Sequence, residues 1–310
     1  MKDIKRVAIT GGAGLIGSAV GRLLQRRGVE AVSLDLTTGG PDVADPGIAD
    51  ALDAAAPDAV VHAAAHPGGK SLVEPVDDVR INALGSMRVF DWCARVKRPV
   101  VYLSSSVVYG DQPAGLIPES AVVKPGTVYG VAKVACEQWL RILEAGHGLP
   151  WTVLRLFATY GAGHKPSVHQ GIVNVMLTQM MTGDRVVVRG SLDRRRDLLY
   201  VEDAAAAIVG ALGAPASRGQ VLNIGTGTAV TIRELIAAIG GVLDRDMSTV
   251  EVVEEAGTVG DPFSNVADVS RAHAILGFDA TYTLQRGLES LVRDREQARA
   301  AAASTGEASL

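Results

Sequence analysis

Gly11-Gly12-Ala13-Gly14-Leu15-Ile16-Gly17 decides how this chain is read. It follows the β-branched run Val7–Thr10 and opens Gly14–Arg27, where apolar residues recur at helical spacing. Glycines in such a turn let a strand pass tightly into a helix and let the backbone approach a pyrophosphate. The charge of that group then rests at the helix N-terminus. Gly11, Gly14, Leu15, Ile16 and Gly17 are therefore candidate cofactor contacts. The spacing, G-x-x-G-x-x-G, differs by one residue from the older dinucleotide fingerprint. A glycine triplet alone is a weak signal, but here a strand precedes it and a helix follows.

Working outward, the next strand-like run, Ala31–Leu34, ends at Asp35, eighteen positions past Gly17. An acidic residue there accepts hydrogen bonds from a ribose diol and repels a 2′-phosphate. Residue 36 is Leu and no Arg follows, so NAD is expected rather than NADP. The plainer reading of Asp35 is a turn or capping residue. Asp42 and Val43 precede the third strand and are candidates for the adenine edge. Ala63 and Ala65 follow that strand, where small side chains let the backbone approach a cofactor.

Further strands are read at Ala59–His62, Val100–Ser104 and Thr152–Leu156, and helices at Pro46–Ala56, Val76–Val96 and Tyr129–Ala145. The alternation predicts an α/β chain with a Rossmann-type, doubly wound parallel sheet. Beyond Leu156 the rhythm loosens. Helices are expected at Gly171–Met181, Thr231–Leu243, Asp268–Leu276 and Leu284–Val292, with strands at Val186–Val188 and Val221–Ile224. This predicts a dinucleotide-binding domain over 1–157, to which 198–228 returns. A smaller, mostly helical substrate lobe takes 158–197 and 229–296, and Gln297 to Leu310 reads as a flexible tail.

Of the 310 residues, 47% are apolar and 4% aromatic, an ordinary soluble α/β composition. The small-apolar stretch Ala204–Ala216 is far too short to span a membrane. A net charge of −4 gives no reason to expect a nucleic-acid or membrane partner. Two cysteines, Cys93 and Cys136, lack metal-ligand spacing, no pair of the six histidines has it either, and no metal is expected. With no signal-peptide core at the N-terminus, a reduced cytoplasmic setting is expected.

The chemistry is carried by Tyr129-Gly130-Val131-Ala132-Lys133. Tyr and Lys four apart share one helix face, and an ammonium beside a phenol is expected to draw its pKa from about 10 toward neutrality. Ser104-Ser105-Ser106 closes the fourth strand, at the sheet edge where ligands of open α/β folds bind. A hydroxyl there can hold the substrate oxygen that Tyr129 protonates or deprotonates. Each piece has a bland alternative, a surface helix pair or loop filler, but their combined order makes coincidence hard to sustain.

Those pieces, together with VVHAAA (60–65), INALGS (81–86), SSSVVYG (104–110), RLFATYG (155–161), RRDLLYVED (195–203), NIGTG (223–227) and LGF (276–278), give the resemblance. Nearly the whole chain resembles the NAD-dependent epimerase/dehydratase family of extended short-chain dehydrogenases. The resemblance implies that Ser105 works with Tyr129 and Lys133 and that Asn82 helps order the site. It also implies homodimers formed through two long helices, here Val76–Val96 and Tyr129–Ala145.

Members that dehydrate or decarboxylate usually place Asp-Glu or Glu in the two positions after that serine, a second acid/base; here the positions are Ser106 and Val107. This points to a nucleotide-sugar 4-epimerase-like enzyme. Arg196 is expected at the diphosphate, in a basic loop with Arg194 and Arg195, and Ser71 and Ser106 at the sugar. His66 and Lys70 flank Ser71. Two departures oppose an ordinary nucleotide sugar: Ala158 replaces the family's phosphate-facing Asn, and Thr258 its Arg before Gly260-Asp261. His164, Lys165 and His169 are candidate sources of replacement charge. An NAD-dependent dehydrogenase or reductase of a smaller, non-nucleotide alcohol or sugar (or other small polyol) is the alternative, and a dinucleotide-sensing binding protein without turnover is the alternative of another class.

Overall fold

The structure, a computed structural model, describes residues 4–166, 171–258 and 260–305. The first half runs β1 (Arg6–Thr10), α1 (Leu15–Arg26), β2 (Glu30–Leu34), α2 (Ile48–Ala55), β3 (Ala59–His62), α3 (Gly68–Ser71) and α4 (Pro75–Asp78). A π-helical segment, Val79–Gly85, leads into α5 (Ser86–Val96), then β4 (Val100–Ser105), α6 (Val128–His147) and β5 (Trp151–Leu156). The remainder runs β6 (Ala158–Tyr160), α7 (Ile172–Thr182), β7 (Arg185–Arg189), β8 (Arg195–Arg196), β9 (Leu198–Tyr200), α8 (Val201–Gly213) and β10 (Gln220–Ile224). It closes with β11 (Val230–Thr231), α9 (Ile232–Val242), β12 (Glu251–Glu255), β13 (Ser264–Asn265), α10 (Ser270–Leu276) and α11 (Leu284–Thr305).

Six parallel strands form the main sheet in the order β10-β5-β4-β3-β1-β2. Side chains alternate across it. Val7 and Ile9 join the core that holds Val20 and Leu24 of α1 and Ile208 of α8, whereas Ala8 joins Leu52 of α2, Phe90 of α5 and Leu140 of α6. Burial on both faces explains the nearly continuous apolar runs of β1, β3, β4, β5 and β10, whereas β2 at the edge is partly exposed. The chain leaves β1 for β2 on one side and returns to β3 on the other. The carboxyl ends of β1 and β3 thus flank the switch point where ligands of such sheets bind. This is the Rossmann-type architecture the alternation predicts.

Three elements differ from the sequence reading. The alanine-rich stretch, read only for its insufficiency as a membrane span, begins inside α8, which packs against α1. No helix among the described residues is long and apolar enough to cross a membrane. Residues 297–305 are helical where a flexible tail is expected, because the Ala-rich sequence sustains α11. The predicted helix Val76–Val96 is interrupted by the π segment, whose wider turns carry Asn82 at their centre.

Outside the main sheet, short strands make pairs the sequence could not announce. β8 lies between β11 and β13, β7 pairs with β12, and β6 with β9. Around them, α9 packs against α7 and α11.

Candidate active site

At the end of β1 the glycine turn is packed too closely for side chains. A Cβ on Gly11, whose φ is +70°, would lie 2.6 Å from the Ala64 amide nitrogen, and one on Gly17 would lie 2.2 Å from the Gly11 carbonyl oxygen. Among the described residues the amides of Leu15, Ile16 and Gly17 have no acceptor, so α1 offers bare N–H groups at the turn. Asp35 faces the same turn. One of its oxygens accepts the Ala13 amide at 3.0 Å, and the other accepts both the amide and the hydroxyl of Thr37. Burial opposes ionisation, but these donors outweigh it and hold the carboxyl below its ordinary value. Asp35 therefore caps the turn after β2 and also ties itself to the glycine turn. A glycine cradle, unpaired amides and an acidic strand end fit a dinucleotide. Ala63 is half-buried and Ala65 exposed beside the turn. Asp42 is engaged by the Ala44 amide and by Arg80 at 2.7 Å, and Val43 is buried near Gly85.

Thr127 caps α6, its hydroxyl accepting the Gly130 amide at 3.1 Å, which sets Tyr129 in the first turn and Lys133 in the second. Ser105 ends β4 and its side chain interacts with the Tyr129 phenol, favouring ionisation. Lys133 is 3% exposed; its Nζ donates to the Leu103 carbonyl at 2.8 Å and lies 5.4 Å from the Tyr129 ring centroid. The structure thus brings Ser105, Tyr129 and Lys133 together. It corrects the electrostatics expected of them. Burial and then the charge of Asp78 hold the Tyr129 phenol above its ordinary value. Burial draws the Lys133 amine down to about 8, against support from Cys136, Asp78 and Glu137.

Asn82 orders the floor of the site. Its Oδ1 accepts the His66 amide at 2.8 Å, while Nδ2 donates to the His66 carbonyl and the Asp78 carboxylate, both at 2.9 Å. The Asn82 carbonyl accepts from Ser86 and from the Cys136 thiol. Ser86 continues to His62 Nε2 and His62 Nδ1 to Thr10, a buried polar chain from α5 to the glycine turn. Full burial and the nearby Lys133 drop the His62 pKa to about 3, so the ring is neutral.

On the substrate side, Ser106 is buried and its hydroxyl accepts from Asn265 Nδ2 at 3.0 Å. Arg194 and Arg196 are both buried and both ion-paired with the Asp261 carboxylate, Arg196 Nη2 at 2.5 Å. Arg194 borders a cavity of about 560 Å³ that also presents Lys124, Ser191, Asp261 and Phe263. Arg194, just before β8, thus sets a guanidinium on Asp261. Ser71 is 2% exposed, and its hydroxyl has no hydrogen-bond partner among the described residues. His66 Nε2 lies 3.2 Å from Glu74 but out of hydrogen-bond alignment. Neither His164 nor Lys165 borders the cavity. The carbonyl of His164 accepts from Arg295 of α11, and His169 lies outside the described residues. Ala158 opens β6 in its pairing with β9.

Sequence reasoning missed Asn265, Lys124 and Asp78. Only Asp78 left a trace: it stands four residues before Asn82, on the face a helix would share with it.

This geometry has relatives. The UDP-glucose 4-epimerase of Mycolicibacterium smegmatis is 29% identical over 309 residues, covering 93% of this chain and 97% of that protein. The dTDP-glucose 4,6-dehydratase of Streptomyces niveus is 30% identical over 315 residues, covering 93% and 91%. The crystal structure of the Thermus thermophilus UDP-glucose 4-epimerase in complex with NAD superimposes with a TM-score of 0.86 at 28% identity, covering 94% and 99%. The family model described as NAD dependent epimerase/dehydratase matches residues 7–225, so the chain belongs to that family and its cofactor is NAD.

Proposed function

We propose that the protein is a nucleotide-sugar 4-epimerase. The observation that carries the reading is the convergence of Ser105, Tyr129 and Lys133 beside a position, Ser106, that holds a hydroxyl and no acid. A dehydratase needs a second proton donor next to that serine, and Ser106 and Val107 supply none. When bound, NAD supplies the hydride acceptor of one half-reaction and the hydride donor of the other. Ser105 holds the sugar oxygen, Tyr129 as phenolate takes its proton and as phenol later gives it back, and Lys133 keeps a positive charge near the phenolate. Between the two half-reactions the keto sugar turns and presents its other face. Arg194 and Arg196, ion-paired with a single carboxylate among the described residues, leave net positive charge for a diphosphate, and their fork geometry suits its oxygens. Ser71, Ser106 and Asn265 are assigned to the sugar.

Two copies join through the faces of α5 and α6 and the π segment before α5, where Val79, Leu84, Val131 and Ile142 are exposed apolar residues. The cytoplasm, which keeps Cys93 and Cys136 reduced, is the assigned compartment.

The test is incubation of purified protein with UDP-hexose and UDP-uronate epimer pairs. Interconversion without net NADH supports the reading. Stoichiometric NADH accumulation replaces it with a dehydrogenase. Sedimentation of the same sample as a monomer would remove the dimer.

A further inference from the structure

Asp261 sets an anion against two guanidinia that are held in place without it. Arg196 belongs to β8, and its Nη1 donates to the Arg195 carbonyl at 2.7 Å. Arg194 lies over Gly190, where a Cβ would meet its Cζ at 2.9 Å, and its Nε donates to the Ser191 carbonyl at 3.1 Å. Both arginine side chains are buried. Asp261 is the loose member of the three. Its side chain is 31% exposed, and among the described residues its carboxylate has only the two arginines as partners, one oxygen on each. It lies outside helix and strand and borders the cavity of about 560 Å³. Rotation about its own side-chain bonds can therefore carry the carboxylate off the guanidinia and into that space while the arginines keep their places.

Two buried guanidinia call for a balancing anion. A carboxylate that gives one oxygen to each arginine bridges them as a diphosphate would, with a phosphate oxygen on each fork. The charge count favours exchange. Asp261 cancels one of the two positive charges, whereas a diphosphate ester carries one negative charge on each phosphate and cancels both. Carboxylate and diphosphate cannot share the pair, because like charges at that range repel strongly.

We propose that Asp261 is a resident phosphate mimic, a specificity-determining residue that competes with the diphosphate of the substrate for Arg194 and Arg196 and swings aside when it binds. This rests on the assignment of the two arginines to a diphosphate. The site then rejects ligands too weakly charged to displace a carboxylate, and the returning carboxylate helps to expel the product after each turnover.

The test reads a sign. In calorimetric titrations of the NAD-loaded protein, Asp261→Asn is expected to bind inorganic pyrophosphate and UDP about 10-fold or more tightly than wild type. Asp261→Glu, which keeps the charge, should return close to the wild-type affinity, and uridine, which has no phosphate, should not distinguish the variants. Unchanged or weaker binding of pyrophosphate by Asp261→Asn overturns the proposal. An equal change for uridine also overturns it, by placing Asp261 at the nucleoside instead. Should Asp261→Asn not fold, wild-type protein answers alone: carbodiimide labelling of carboxylates, read by mass spectrometry, should rise at Asp261 when UDP is added. A fall, the mark of a ligand that merely covers the carboxylate, or no change overturns the exchange. Neither measurement needs turnover, so failure of epimerisation alone would strike the epimerase reading and leave this proposal intact.

Discussion

At the end of β1 the surface offered to a ligand is backbone, whereas at β8 and β13 it is side chain. Seven consecutive residues, Gly11–Gly17, build the first by bringing a strand, a turn and the bare amides of α1 into register. The second draws on Ser106, Arg194, Arg196, Asp261 and Asn265, supplied by a strand end and by strands of two residues each with their flanking loops. The difference teaches where each can fail. A backbone site is destroyed by adding one carbon, because the gap is already closed. A side-chain site degrades by steps, since each group contributes separately and neighbours compensate.

The largest effect should come from between the two regions. Tyr129→Phe is expected to lower kcat by about 10²–10⁴-fold with NAD still bound, measured by epimer interconversion and by bound-NAD content. Full activity in this variant would remove the catalytic basis for comparing the two ends. Next is Gly17→Ala. With the new Cβ 2.2 Å from a carbonyl oxygen, the turn must shift, at a cost of about 1–3 kcal/mol in stability and with loss of NAD affinity. Thermal unfolding with and without NAD checks both; an unchanged NAD-induced shift would show that the backbone end is more pliant than argued.

Side-chain losses should be smaller and selective. Arg194→Met and Arg196→Met are each expected to raise KM for the nucleotide sugar about 10- to 150-fold, leaving NAD affinity untouched. The double variant should fall short of the product of the two, because both guanidinia share Asp261. Equal damage to NAD binding would dissolve the distinction between the ends.

A further effect concerns the polar chain beneath the glycine turn. His62 is folded with a pKa of about 3 against an ordinary 6.5, so the unfolded state binds the extra proton. The stability of the neutral ring is fully present above pH 6.5 and is lost as pH falls toward 3, at up to about 1.4 kcal/mol per unit. Denaturant titrations from pH 7 to 4 should show this slope, and His62→Gln should flatten it.

Much of the first region is legible in the linear chain. Strand β3 begins and ends at the residues expected, and the other main-sheet strands fall within one residue of their expected bounds, because burial on both faces leaves unmistakable apolar runs. Asp35 is readable as a strand-end acid, though its grip on the Ala13 amide is not. Elsewhere, β8 and β13 carry no periodicity in two residues apiece, and Asn265 meets Ser106 across 159 positions. The charge missing at Thr258 reads in sequence as a plain loss, whereas the fold sets Arg194 on Asp261. The shift of Tyr129 runs opposite to the expectation from Lys133 alone, since the depth of its burial has no signature in sequence spacing.

By itself, then, the order of residues determined the sheet, the cofactor turn and the identities of the serine, tyrosine and lysine, because each depends on neighbours within a few positions. Tertiary structure alone decided which guanidinia meet at Asp261, what Ser106 touches, and how deeply the phenol is buried. Those depend on dielectric surroundings and on contacts between distant segments, and both exist only after the chain has packed.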